Sequence, residues 1–242
     1  PISHLADEPI SQLADEPISQ LAVENSQLIL FAACDCTGHG VPGAMVSVVC
    51  FNALNRAVRE FGLSQPSLIL DKTTEIVSDY FSKSEEDIQD GMDISLCALN
   101  TKTNELQWAG ANNPLWLVRK MNQSSAALNP TQQILISGSN YLIEIKGDKQ
   151  AIGINENHYP FTNHKFILER GDQIYLFSDG YADQFGGETG EVKLSRKRFK
   201  EKLLSIQTLN MQEQGNELNN YLIHYQNGVA QVDDILVIGV RV

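Results

Sequence analysis

Residues 31–45 read FAACDCTGHGVPGAM, and the fold turns on how this stretch is understood. Gly38, Gly40 and Gly43 spell G-x-G-x-x-G, the dinucleotide-binding fingerprint. That fingerprint sets its first glycine at a strand end and turns backbone N–H groups toward a pyrophosphate. Here Asp35, Cys36 and Thr37 intervene, and Pro42 removes a donor from inside the loop. No G-K-[ST] follows, so a phosphate-cradling P-loop is absent, and no strand–helix–strand alternation continues downstream. The loop reads instead as backbone folded tightly around an acid, Asp35, which suits a cation.

Working outward, LILFAACD (28–35) is a short apolar run, the pattern of a buried strand. The spacing predicts a helix over 43–61, stopped by Gly62, and a second over 66–82 that begins on Pro66. The period then switches to two. MDISLCALN, ELQWAGA and PLWLVRK read as successive strands, with turns at 101–104 and 112–114, and QQILIS and YLIEIKG continue the series. KFILERGDQIYLFSDG reads as two strands around a Gly171-Asp172 turn. Helical spacing returns at 195–206 and 211–226, and DDILVIGVRV closes as a strand. This order predicts an α+β layered sandwich of two mainly antiparallel sheets with helices packed outside.

The first 24 residues are a period-eight repeat, PISHLADE, PISQLADE, PISQLAVE. Proline every eighth residue forbids one continuous helix, so 1–26 is expected to be a poorly ordered arm and 27–242 the folded domain. A chain of 242 residues, 42% hydrophobic, can bury a core of that size. The net charge of −12 argues against nucleic acid as a partner and suits a site that gathers divalent cations. No apolar run reaches the roughly 18 residues of a membrane span, so direct membrane insertion is not expected. The four cysteines form no C-x-x-C; Cys34 and Cys36 share a strand face, and buried free thiols in a reducing, cytoplasmic setting are expected.

Three acids share one setting. Asp35 ends an apolar run, Asp179 ends QIYLFSD before Gly180, and Asp233 and Asp234 precede ILVIGV. Singly, each is an ordinary turn or cap residue. Together they form a candidate acidic cluster, because a carboxylate at a strand end is costly unless it is solvated, hydrogen-bonded or metal-bound. Oxygen ligands favour Mg²⁺ or Mn²⁺ over zinc.

DCTGHGVPGA, DGMDISLCAL, WAGANNPLWLVRK, GDQIYLFSDGYADQFGG and QVDDILVIGVRV occur in this order. With them the chain resembles, over roughly 27–242, the SpoIIE/RsbU-type branch of the PPM (PP2C-like) metal-dependent Ser/Thr phosphatases. The resemblance implies an α-β-β-α sandwich with a cleft at one edge holding two Mn²⁺ or Mg²⁺ ions. It implies Asp35 as the carboxylate bridging the ions, the Cys36 backbone carbonyl beside it, and Asp179 and Asp233 as further catalytic metal ligands. Asp234, Asp93 and Gly180 fall in an outer shell. It also implies hydrolysis of phosphoserine or phosphothreonine on a bacterial regulatory protein of the STAS, anti-anti-sigma kind, by a metal-activated water. A homodimer, or fusion to a sensor module as its cytoplasmic part, fits the same resemblance.

The chain departs from the pattern in two places. A histidine that the eukaryotic branch carries two residues after the matching acid is here Thr37, and His39 does not take over its position; the remaining histidines, His4, His158, His164 and His224, lie outside any cluster. The family also opens on an earlier strand with a G-D-F-Y segment whose Asp binds metal. The octapeptide repeat stands there instead, with only Asp15 near the expected separation. A sandwich short of one N-terminal strand and one carboxylate is therefore expected, with a catalytically impaired protein-binding module as the alternative to an active phosphatase.

Overall fold

The computed structural model describes residues 27–38, 40–82, 90–121, 133–153 and 158–242. The expected arm, Asp15 and His39 lie outside the described residues. The chain enters on β1 (Leu28–Cys36), then forms α1 (Gly40–Arg59) and α2 (Pro66–Phe81). A run of strands follows: β2 (Gly91–Asn100), β3 (Glu105–Ala111), β4 (Leu115–Lys120), β5 (Gln133–Ser137), β6 (Asn140–Ile145), β7 (Ile152–Gly153), β8 (His164–Ile167) and β9 (Gln173–Phe177). After one turn of helix, α3 (Gly180–Asp183), a small ribbon forms from β10 (Phe185–Gly186) and β11 (Val192–Lys193). Then come α4 (Ser195–Ser205), α5 (Met211–Gln226) and β12 (Val237–Arg241).

The strands make two antiparallel sheets, ordered β1-β2-β3-β8, with β7 beside β2, and β12-β9-β4-β6-β5. β2 lies antiparallel to β1, so the first helices do not connect parallel strands and the dinucleotide fold is excluded. Three apolar layers result. α1 and α2 pack on the first sheet through Val46, Cys50, Ala53 and Ala57 and through Ile69, Leu70 and Val77. Both sets recur at helical spacing. Between the sheets lie Trp108, Leu115, Leu117 and Ile174, and outside the second sheet lie Trp116, Phe177, Phe199 and Leu203. Leu115, Trp116 and Leu117 show the strand period at work: neighbours point to opposite layers.

Helix ends follow local chemistry. Pro66 occupies the first turn of α2, where its missing N–H costs nothing. α5 begins with a reciprocal capping box between Asn210 and Glu213 and ends at Asn227 in the left-handed region.

One expectation is corrected. The strands flanking Gly171-Asp172 do not pair with each other: β8 joins β3 in one sheet and β9 joins β4 and β12 in the other. The cause is Asp172, whose carboxylate accepts from the Glu169 N–H and from Arg119 Nε at 2.8 and 2.9 Å, pinning the chain as it crosses. Gly171 N–H also donates to the Val242 carbonyl at 2.6 Å. By length and composition α1 is also long and apolar enough to cross a membrane, while one of its faces lies in the core under the first sheet. Its opposite face exposes Val41, Met45, Val48 and Phe51.

Candidate metal centre

The expected acids arrive from both sheets at one end of the sandwich. Asp35 on β1 stands opposite Asp93 on β2 in the ladder register. Asp179 lies two residues beyond β9, where the chain turns into α3, and Asp233 and Asp234 lie in the approach to β12. Ser178 joins the two approaches of the second sheet. Its Oγ donates to the Asp234 carbonyl at 2.8 Å and accepts the Leu236 N–H at 3.0 Å. Gly180 is required there, because a Cβ would stand 2.4 Å from the Asp234 carbonyl oxygen.

On the first sheet the loop after β1 is tied across to β2. Thr37 N–H donates to the Gly91 carbonyl at 2.9 Å, and Gly91 N–H returns a bond to Thr37 Oγ1 at 2.9 Å. The loop then closes on itself: Gly38 has φ +86°, and a Cβ on Gly43 would meet its carbonyl at 2.7 Å. This contact accounts for two glycines of the opening stretch without any nucleotide. A cavity of about 470 Å³ opens beside it, lined by Asp35, Cys36, Gly43, Ser47, Phe51 and Asp234 among others.

The electrostatics show which acids meet. Burial raises the Asp35 carboxyl to about 6, and the charges of Asp179, Asp233, Asp93 and Asp234 push in the same direction. No cation is among the groups acting on it. Asp93 is raised by burial and by Asp179, against a hydrogen bond from Asn112 Nδ2 at 2.7 Å. Asp179 is raised by burial, Asp233 and Asp183, with Arg196 and Lys193 opposing. All five acids named from the sequence therefore act within one field.

Among the described residues, no three His, Cys, Asp or Glu side chains stand together as a ready metal-ligand set. A hydrated divalent cation needs less: Mg²⁺ keeps several waters and takes one or two carboxylates. The donor set is all oxygen, anionic and short of compensating charge around Asp35, so its chemistry fits such an ion.

The cysteines are free, and the structure corrects their expected burial. Cys50 and Cys97 are buried, but Cys34 is exposed and Cys36 half-buried, because β1 lies at the edge of its sheet beside the cavity. Cys36 packs against the core cluster that contains Cys50, and the neighbouring Cys50 and Ser47 side chains hold its thiol below the usual value against its burial.

The family model for stage II sporulation protein E (SpoIIE) matches residues 25–242. The chain belongs to the SpoIIE family. This SpoIIE-family chain matches the SiaA-PP2C domain of Pseudomonas aeruginosa with 27% identity and a TM-score of 0.72, over 90% of this chain and 78% of that one. It matches the SpoIIE PP2C phosphatase domain with a regulatory fragment from Bacillus subtilis at 19% identity and TM-score 0.60. The RsbU and RsbW domains of a Mycobacterium tuberculosis protein match at 18% and 0.58. The match covers 88% of the SpoIIE-family chain in both cases, and spans about half the length of those two, 54% and 51%. No curated protein sequence matches. The fold is that of the PP2C-type phosphatase domain, as the sandwich order indicated.

Sequence reasoning missed three residues of the site. Thr37, Ser178 and Asn112 each hold an acid-bearing segment by a bond to chain distant in sequence. The only local signal was at Asn112, which sits in the expected turn with φ +55°.

Proposed function

We propose that this chain is a Mn²⁺- or Mg²⁺-dependent protein phosphatase domain that hydrolyses phosphoserine or phosphothreonine on a bacterial regulatory protein. The observation that carries this reading is Asp35: a carboxyl raised by burial and by four other acids, with no cation acting on it, at the wall of an open cavity. In this reading Asp35, the Cys36 carbonyl, Asp179 and Asp233 would hold the ions, and Asp93, Asp234 and Gly180 would support those ligands. Bound divalent ions would lower the pKa of a water toward neutrality and screen the phosphate oxygens. Asn112 holds Asp93 facing the cluster, and Ser178 fixes the Asp179 and Asp234 segments against each other. The first turn of α1 borders the same cavity through Gly40 and Gly43, so its free amides favour an incoming phosphate.

The substrate proposed is a phosphorylated STAS-type, anti-anti-sigma-like protein. Support comes from neighbours described as RsbU and RsbW domains and as a stressosome, a system said to control secondary-messenger signalling. A cytoplasmic setting, homodimerisation or fusion to a sensor module belongs to the same proposal.

A second reading, a binding module that keeps the fold without turnover, is favoured by one observation: no ready three-residue ligand set among the described residues. Calorimetric titration with Mn²⁺, combined with phosphate release from a phosphoserine peptide, separates the two. Metal binding with turnover that EDTA and Asp35→Asn both abolish supports the phosphatase. Metal binding without turnover supports the module, and no binding at millimolar Mn²⁺ sinks the metal-dependent reading.

A further inference from the structure

The chain carries a net charge of −12, yet six of its 18 Lys and Arg stand between Lys193 and Lys202, with Glu201 the only acid among them. The segment runs from the end of β11 through the first turns of α4. Most of these cations are already engaged. Lys193 pairs with Asp183 at 2.8 Å, Lys200 with Glu144 at 2.6 Å and Lys202 with Glu217 at 2.9 Å, and Arg198 donates to the Tyr225 hydroxyl at 2.8 Å. Arg196 and Lys197 are exposed, and among the described residues neither makes an ion pair or a side-chain hydrogen bond. Both stand in the first turn of α4, which holds no acid and no capping side chain. Cations there oppose the helix dipole, so the pair costs the helix stability.

The pair has a definite place relative to the acids. α4 lies against α3, the single turn that follows Asp179: the Tyr181 and Phe199 rings stand 4.3 Å apart, and Leu194 N–H donates to the Gln184 carbonyl at 2.9 Å. The bridge from Lys193 to Asp183 ties the same two segments. Phe199 and Leu203 bury the inner side of α4 and leave Arg196 and Lys197 outside. The first turn of α4 is therefore held beside the Asp179 end of the acid cluster, and Arg196 is one of the two cations that oppose the raised carboxyl there. We propose that Arg196 and Lys197 form a docking surface for an acidic stretch of the protein substrate, next to the residue which that substrate presents to the cleft. The inference rests on the phosphatase reading for what enters the cleft. A phosphorylated side chain is an anion, and the acids around Asp35 repel it. A cationic rim draws an acidic segment in against that repulsion and fixes which segments are accepted. Arginine clusters are a recurrent device for reading acidic and phosphorylated motifs.

Fluorescence anisotropy on the full chain compares two short labelled peptides, a serine flanked by glutamates and the same serine flanked by glutamines. The glutamate peptide is expected to bind about 10-fold tighter at low salt, the scale of two partly exposed charge pairs, and to lose that margin at about 0.5 M NaCl. The double variant R196E/K197E should abolish the margin and favour a lysine-flanked peptide instead. The same variant should melt no lower than the parent chain, because acids in the first turn suit the helix dipole. Weaker docking at equal or higher Tm is a result that unfolding cannot produce. Should the reversal melt lower, R196Q/K197Q takes its place, with the margin still expected to vanish. Equal binding of the two peptides overturns the proposal, as does a margin that survives either double variant. Equal peptide binding together with pelleting on vesicles of about one-third phosphatidylserine would assign the face to a lipid surface instead. The phosphoserine forms of both peptides, with Mn²⁺, separate this inference from the reading it rests on. Turnover of both at the same kcat/KM overturns the docking surface and keeps the phosphatase. A glutamate margin in binding with turnover of neither keeps the surface and removes the phosphatase.

Discussion

The molecule treats its inner acids in two opposite ways. On the second sheet, Asp172 and Glu144 are buried, and each meets a cation of its own. Arg119 grips Asp172 with Nε at 2.9 Å, and Lys200 reaches Glu144 at 2.6 Å. At the strand ends, Asp35, Asp93 and Asp179 are less buried, yet all three are raised and press on one another. Carboxylates compensated from within stabilise a fold, while carboxylates left to repel store a demand for a cation from outside. The same residue type thus serves architecture in one place and, in the function proposed above, a cation site in the other.

The sharpest way to break the contrast is on the compensated side. Arg119→Met leaves Asp172 as a buried charge without its fork partner and should cost about 3–5 kcal/mol in chemical denaturation. A loss under about 1 kcal/mol would mean that the corner tolerates an unpaired acid. On the repelling side, Asp35→Asn should act in the reverse sense on the metal-free protein. It should stabilise the fold by about 1 kcal/mol at pH 7, because one of several mutually repelling charges is gone. The same change should lower Mn²⁺-dependent phosphate release by about 100-fold or more, the scale of losing a group that acts on the reacting centre.

pH sharpens the comparison further. A carboxyl whose folded pKa is raised, as for Asp35 at about 6, holds its proton longer in the folded chain than in the unfolded one. Its contribution is present below the unfolded value near 4, and it is lost as pH rises through about 6. Melting of the metal-free protein should therefore fall across that window, by about 1 kcal/mol once the half-exposed setting is discounted. Saturating Mn²⁺ should flatten the fall, and an unchanged slope with metal would break the link between repulsion and cation binding. The smallest effect belongs to a partly exposed pair: Lys202→Ala, which removes the 2.9 Å bridge from α4 to Glu217 on α5, should move stability by less than about 1 kcal/mol.

Much of this was legible in the chain. The order of strands and helices followed from where the apolar period changed from 3.6 to two, and Asp35, Asp179 and Asp233 stood out because apolar runs end on the first two and begin just after the third. What stayed hidden depends on partners far apart in sequence. Arg119 and Asp172 are 53 residues apart, and their pairing sends β8 and β9 to different sheets where a local turn suggested neighbours. Thr37 and Gly91 are 54 apart, so the bracing of the loop after Asp35 leaves no periodic trace. Cys36 looked like one of a strand pair with Cys34, and only the packing of α1 shows that it adjoins the core cluster that contains Cys50.

The edge position of β1 has a consequence for motion. Among the described residues, β2 is its only strand partner, so alternate amides along Leu28–Cys36 face away from the ladder. Those amides should exchange with deuterium far faster than the amides of β2, which is bonded to β1 and β3 on its two sides. The strand that delivers Asp35 is thus more easily opened than β2, and an ion that captures Asp35 would slow its exchange along the whole strand.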